Sequence, residues 1–338
     1  VYKRQTLSAI AGSALSPLDP DEFPDDKRMT VEAYNVTAAL AVVIQLMVVL
    51  FSTYTLYLVI AAVHNPTAAY RTTMHMTRWI GLLEFLRYLP ALGTVGLITP
   101  WNLPLYLLTW KVAPALLMGN TIVAKPSEVT PLTAHLLAET LHELGLPKGV
   151  FNLVHGLGPE VGQAILENPG IKAISFTGGT ETGRIVARTA APMFKKLSLE
   201  LGGKNATVVF ADADMEKAVE GAVRAAFTNS GQVCLCGSRI FVEEEIINQF
   251  TSRFVEKVEA IRIGNPMDEQ TEMGTVISPE HLLKIESYID LAEKEGGVIL
   301  TGGTRKMTGY SGPDGIGAFL RPTVVENLSH TSRCATEE

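Results

Sequence analysis

From about Leu92 onward, short apolar runs alternate with stretches of helical period. Thr94–Ile98, Thr121–Ala124, Val150–Val154, Ala173–Phe176 and Thr207–Phe210 have the length and apolar character of strands. Helical signals lie between them. Thr130 followed by Pro131 marks a helix start, and Gly145 marks its end. Met215, Ala218, Val219, Ala222, Val223, Ala226 and Phe227 recur at helical spacing, so one face of that helix is apolar. Strand–helix alternation predicts an α/β fold built from βαβ units, with a largely parallel sheet. No internal repeat or low-complexity tract interrupts it.

The segment 1–91 has a different texture. Residues 36–63 carry no charge and one strongly polar residue, Gln45, a length that spans about 30 Å of hydrocarbon as a helix. This predicts a hydrophobic helix over 36–63 with membrane contact; a buried core helix is the other reading. The run starts too deep and is too long for a signal peptide. Basic residues flank it almost evenly, so they assign no orientation. A second apolar stretch, Trp79–Leu92, is broken by Glu84, Arg87 and Pro90 and reads as an interfacial or packed helix.

With 338 residues, 47% of them hydrophobic, the chain has material for two domains and a sizeable core. A net charge of −7 argues against a nucleic-acid partner, which requires a basic surface. Three cysteines (Cys234, Cys236 and Cys334) are too few for a disulfide framework, so a reducing, cytoplasmic setting is expected for the part beyond Leu92. Cys234 and Cys236 lack CxxC spacing and a histidine pair, so no metal site is expected.

Five short motifs carry chemistry. PWN ends in Asn102, an amide able to donate to an oxyanion or simply to shape a turn. KPSE places Lys125 and Glu128 just after a strand, where ligands of parallel sheets bind; a charged loop is the alternative. FTGGTETG places Thr177, Gly178, Gly179 and Gly183 at a strand-to-helix turn, where backbone N–H groups can approach a phosphate. GLGPEVG, Gly156–Gly162, is a similar glycine turn, and neither is a strict GxGxxG. LELGGK puts Glu200 beside a glycine pair, and FTNSGQVCLCGSR puts Cys234 beside a Gly-Gln turn. A thiol that attacks a carbonyl and a carboxylate that later activates water form a covalent-catalysis pair.

Taken together and in chain order, PWN, KPSE, FTGGTETG, LELGGK and GQVC resemble the motifs of the NAD(P)-dependent aldehyde dehydrogenase superfamily, from about Leu92 to Glu338. NLPLYLLTWK and CLCGSR look most like the muconic semialdehyde branch. The resemblance implies a doubly wound, Rossmann-like NAD-binding domain over 92–200 and a catalytic domain over 201–338. It implies oxidation of a small-molecule aldehyde to a carboxylate, with Cys234 as nucleophile, Glu200 as base for deacylation and Asn102 as oxyanion donor. It further implies that Lys125 and Glu128 bind the adenosine ribose, that the FTGGTETG turn faces the phosphates, and that Glu338 binds the nicotinamide ribose. A carboxylate at Glu128 accepts from a 2′-hydroxyl and repels a 2′-phosphate, by roughly 4 kcal/mol at 4 Å and an effective dielectric of 20, so NAD is expected over NADP. Arg239 is a candidate clamp for a substrate carboxylate, with a structural salt bridge as the other reading. Relative to the family pattern, segment 1–91 reads as unrelated and the pattern stops at Glu338, short of the strand through which the family forms homo-oligomers. A truncated or chimeric inactive fragment and a membrane-anchored scaffold are therefore the alternatives to an active enzyme.

Overall fold

The computed structural model describes residues 93–303 and 317–337. The apolar segment 36–63, the stretch Trp79–Leu92 and Glu338 lie outside the described residues. Among the described residues no helix is long and apolar enough to cross a membrane.

Strands β1 (Thr94–Ile98), β2 (Thr121–Lys125), β3 (Phe151–Leu153), β4 (Ile171–Gly178) and β5 (Lys196–Leu201) form a sheet in the order β3-β2-β1-β4-β5. β1 pairs with β2, and β2 with β3, in parallel. Helix α1 (Pro104–Leu117) follows β1, and α2 (Leu132–Glu143) follows β2. α3 (Gln163–Glu167) follows β3, and α4 (Thr180–Ala190) follows β4. Then come β6 (Ala206–Val209), α5 (Met215–Phe227), β7 (Arg239–Val242), α6 (Ile247–Glu259) and α7 (Pro279–Lys294). β8 (Val298–Thr301), β9 (Val324–Glu326) and α8 (Arg333–Thr336) complete the described chain. β6 and β7 pair in parallel, and β8 and β9 antiparallel with an irregularity near Thr301.

Two compact units emerge. Within the described residues, one comprises 93–98, Leu105–Pro126 and Thr130–Ile174; the other comprises Thr99–Pro104, Ser127–Val129, 175–303 and 317–337. The division falls inside β4.

The alternation read from the sequence corresponds to real elements. β1 and α5 have the predicted bounds, and Gly145 takes the left-handed conformation (φ 80°) just past α2. In the first unit, Leu97, Leu108, Val112, Ile122, Ala124, Ala134, Leu137 and Leu141 form one core. Ile122 and Ala124, two residues apart on one face of β2, are wholly buried in that core. In the second, Val219 and Ala222 of α5 pack against Phe250, Phe254 and Val258 of α6. Asp214 starts α5 by accepting the Lys217 N–H, a cap worth about 1 kcal/mol.

Gly96 is where β1 meets its cover most closely. A Cβ there would lie 2.6 Å from Ile165 Cγ2 and 2.8 Å from Ile174 Cδ1. Neither isoleucine has room to retreat, since both are buried. Gly96→Ala is expected to destabilise the protein by about 1–3 kcal/mol through overpacking. A denaturant midpoint that does not move would refute this packing.

Candidate active site

Cys234 and Asn102 lie 132 residues apart in the sequence, and the second unit brings their segments together. Asn102 follows β1 and the Trp101 turn. Its Nδ2 donates to the Gln232 carbonyl at 2.9 Å, two residues before Cys234. Its Oδ1 is buried and receives no hydrogen bond from the described residues, so the bond to Gln232 alone orients the amide. An amide nitrogen carries two N–H groups. One serves the Gln232 carbonyl, and the second remains for another acceptor.

The Cys234 loop is anchored at several points. Val233–Cys236 forms a turn closed by the Cys236 N–H on the Val233 carbonyl at 2.9 Å. That carbonyl points into the turn, so the Cys234 N–H, trans to it across a planar peptide, points outward. Asn205 Nδ2 donates to the carbonyls of Cys234 (2.6 Å) and Cys236 (3.3 Å). Gln232 Oε1 accepts the Ile277 N–H at 2.9 Å, and Gln232 Nε2 donates to Asn229 O at 3.1 Å. Before Gln232, Asn229, Ser230 and Gly231 all adopt positive φ (56°, 57° and 75°). The sequence reading missed Asn205 and Asn229. An Asn-Ser-Gly run is a signal for left-handed backbone; nothing near Asn205 announces its role.

The three cysteines differ. Cys234 and Cys236 are half-buried and form no disulfide. Cys334 donates from Sγ to the Tyr288 carbonyl at 3.3 Å. Burial, with help from the neighbouring Glu295 carboxylate, pushes its thiol up to about 11. At neutral pH Cys334 is therefore a protonated thiol, unsuited to attack. Glu200 lies on β5, where Lys196, Ser198 and Glu200 are exposed and Leu197, Leu199 and Leu201 turn inward. The alternation puts its carboxylate on the solvated face.

The residues expected to hold a cofactor have distinct surroundings. Thr177 is buried, and no described residue bonds its Oγ1. Gly179 precedes α4, whose first turn has no side-chain cap. A Cβ at Gly179 would meet nothing within 4 Å, whereas one at Gly183 would lie 2.5 Å from Leu201 Cδ2. A side chain at Gly183 would displace the tip of Leu201 where α4 packs on β5, and Gly179 leaves open space before a helix N-terminus. These residues fit an anionic phosphate group. Lys125 ends β2, buried, with Nζ donating to the Pro126 carbonyl at 3.1 Å; Glu128 is exposed. Arg239 donates from Nε to the Lys204 carbonyl at 2.9 Å and lies over Phe241 at 5.7 Å. A carbonyl and a ring hold it, and no salt bridge to it occurs among the described residues. No group of three or more His, Cys, Asp or Glu suited to a metal occurs among the described residues.

These features define a class, and residues 58–338 match the sequence profile of the aldehyde dehydrogenase family, to which the chain belongs. The match begins ahead of Leu92, in sequence that carries none of the five motifs. The chain is 50% identical over 248 residues to 2-aminomuconic 6-semialdehyde dehydrogenase of Pseudomonas sp, covering 73% of this chain and 50% of that protein. It is 46% identical over 252 residues to 2-hydroxymuconic semialdehyde dehydrogenase of Pseudomonas sp. (strain CF600), covering 73% and 50%. Among solved structures, betaine aldehyde dehydrogenase from Staphylococcus aureus in complex with NAD+ is similar at a TM-score of 0.70 and 45% identity, covering 73% of this chain and 48% of that one. The chain spans about half the length of the curated relatives it matches.

His281 adds a pH-sensitive contact beside the site. Its ring meets Trp101 edge-on at 5.2 Å. Burial, then the charge of Lys284, lowers its pKa from 6.5. Its folded-state pKa thus lies below the unfolded value, so the folded chain resists protonation. The stability it supports is present above about pH 6.5 and is lost as pH falls from there toward the folded pKa. Melting temperature measured across this range should fall more steeply for the native chain than for His281→Gln. Parallel curves would show that His281 stays neutral or charged alike in both states.

Proposed function

We propose that the chain carries the catalytic residues of an NAD-dependent oxidation of an aldehyde to a carboxylate, with Cys234 as nucleophile. The observation that supports this reading most is the hydrogen bond from Asn102 to the Gln232 carbonyl. It brings a side-chain amide with a second N–H to the loop that presents the cysteine.

The chemistry follows from that arrangement. The Cys234 thiolate attacks the aldehyde carbon and forms a thiohemiacetal oxyanion. Asn102 and the outward Cys234 N–H donate to that oxygen; one such donor is worth about 3 kcal/mol in the transition state. Bound NAD supplies the acceptor for the hydride whose loss leaves a thioester. Glu200 then takes a proton from the water that attacks the thioester, releasing the carboxylate and restoring the thiol. Thr177, Gly178, Gly179 and the start of α4 would hold the phosphates of NAD, and Gly183 lets that helix pack closely. Lys125 is the ribose-binding cation of this reading, and Glu338 its nicotinamide-ribose acid. Homology to the aminomuconic and hydroxymuconic enzymes supports a muconic-type semialdehyde as substrate.

Two tests follow. NADH formation with a muconic-type semialdehyde should vanish in Cys234→Ala. In Glu200→Gln it should stop after about one turnover, because acylation proceeds and deacylation does not. Steady turnover in Glu200→Gln would remove that residue from the mechanism. Glu128 is exposed, so its repulsion of a 2′-phosphate lies nearer the roughly 1 kcal/mol of water than the 4 kcal/mol of a protein surface. NAD should therefore be preferred over NADP by at least about fivefold in kcat/KM, and Glu128→Gln should narrow the gap. Equal efficiency with both cofactors in the native chain would refute the assignment.

A further inference from the structure

We infer that Asn229 is a positioning residue for this reaction, one that acts through Asn102 and the Gln232 peptide; the inference rests on the reading of Cys234 and Asn102 given above. Asn229 Nδ2 donates to the Asn102 backbone carbonyl at 3.1 Å and lies 3.4 Å from the Gln232 carbonyl. The Asn102 side chain donates to that same Gln232 carbonyl at 2.9 Å. In return, the Asn229 carbonyl accepts the backbone N–H of Gln232 at 3.0 Å and its side-chain Nε2 at 3.1 Å. One residue thus grips the oxyanion donor's backbone and the peptide that the donor itself grips. Two segments more than a hundred residues apart are fixed in mutual register by these bonds.

The backbone explains why asparagine serves here. At φ 56°, position 229 is left-handed, a conformation that excludes most side chains at low cost but admits glycine and asparagine. Glycine would keep the turn and lose the amide. Aspartate would keep the turn and the shape but lose the donor. Asn229 is also exposed, so deleting its side chain leaves no cavity in the core. Stability and positioning are therefore separable.

The test uses p-nitrophenyl acetate on the full chain. Its ester carbonyl is attacked by the Cys234 thiolate, the C–O bond breaks, p-nitrophenolate leaves, and an acetyl thioester forms without any cofactor. The burst of p-nitrophenolate reports oxyanion stabilisation directly, with Cys234→Ala as its control. Asn229→Gly should slow the burst by about ten- to a hundredfold, the range that a small misplacement of a catalytic group produces. The melting temperature should stay within the range of an ordinary surface substitution. Asn229→Asp should behave alike, which guards against a misfolded glycine variant. In an Asn102→Ala background, Asn229→Gly should slow the burst no further, because the residues act as one unit. An unchanged burst in both Asn229 variants would overturn the inference. So would a full additional loss on top of Asn102→Ala, and so would a native chain with no Cys234-dependent burst. A normal burst without NADH formation would instead sink the dehydrogenase reading and leave the positioning role intact.

Discussion

The hydrogen bond from Asn102 Nδ2 to the Gln232 carbonyl is the constraint on which the rest of the site depends. It joins the turn after β1 to the loop before β7. An amide nitrogen facing a carbonyl is attractive, and an amide oxygen there would be repelled. The bond therefore fixes which end of Asn102 faces the Cys234 loop. Oxyanion stabilisation requires donors already in place before charge develops, since reorganising them during the reaction would forfeit most of their value. Asn205, Ile277 and the Val233–Cys236 turn immobilise the other side of the bond. The site is thus a set of backbone peptides held by a few side-chain amides, those of Asn102, Asn205, Asn229 and Gln232.

Much of the fold was legible from the sequence because its signals are local. A strand that is apolar throughout, a helix with one apolar face and a glycine past its end are each decided within a few residues. β1 and α5 were therefore readable to the residue. β5 was harder: its Lys-Leu-Ser-Leu-Glu-Leu alternation was overshadowed by the motif it contains. The candidate site divides the same way. Cys234, Glu200 and Asn102 stand in short motifs, and position along the chain exposed them. Asn205 and Asn229 matter through bonds to residues more than twenty positions away. A single sequence carries no record of such a bond.

The glycines of FTGGTETG show how one motif answers different physical demands. At Gly183 the demand is internal, because Leu201 occupies the space a side chain would need. At Gly178 the Phe176 ring does the same, since a Cβ there would lie 2.5 Å from its Cζ. Gly179 is different: among the described residues nothing fills the space that a Cβ would take there. The buried Thr177 hydroxyl two residues before it has no hydrogen-bond partner among them either. Under the proposed function this is the space that the phosphates of NAD would occupy.

The turn Asn229–Ser230–Gly231 places local backbone strain beside the candidate site. Three successive left-handed residues are unfavourable for an L-chain, by about 1–2 kcal/mol at a residue such as Ser230. Such a conformation persists only where its surroundings enforce it. Here the enforcing contacts are the ones that build the site: Asn229 to Asn102 and Gln232, Gln232 to Asn229 and Ile277, and Ser230 Oγ to Thr275 O at 3.5 Å. Relaxing the turn would release its strain but free the Gln232 carbonyl from both amides. The loop would then lose its register with Asn102 before the core noticed. The left-handed turn is thus the conformation in which Asn229 reaches both the Asn102 carbonyl and the Gln232 carbonyl.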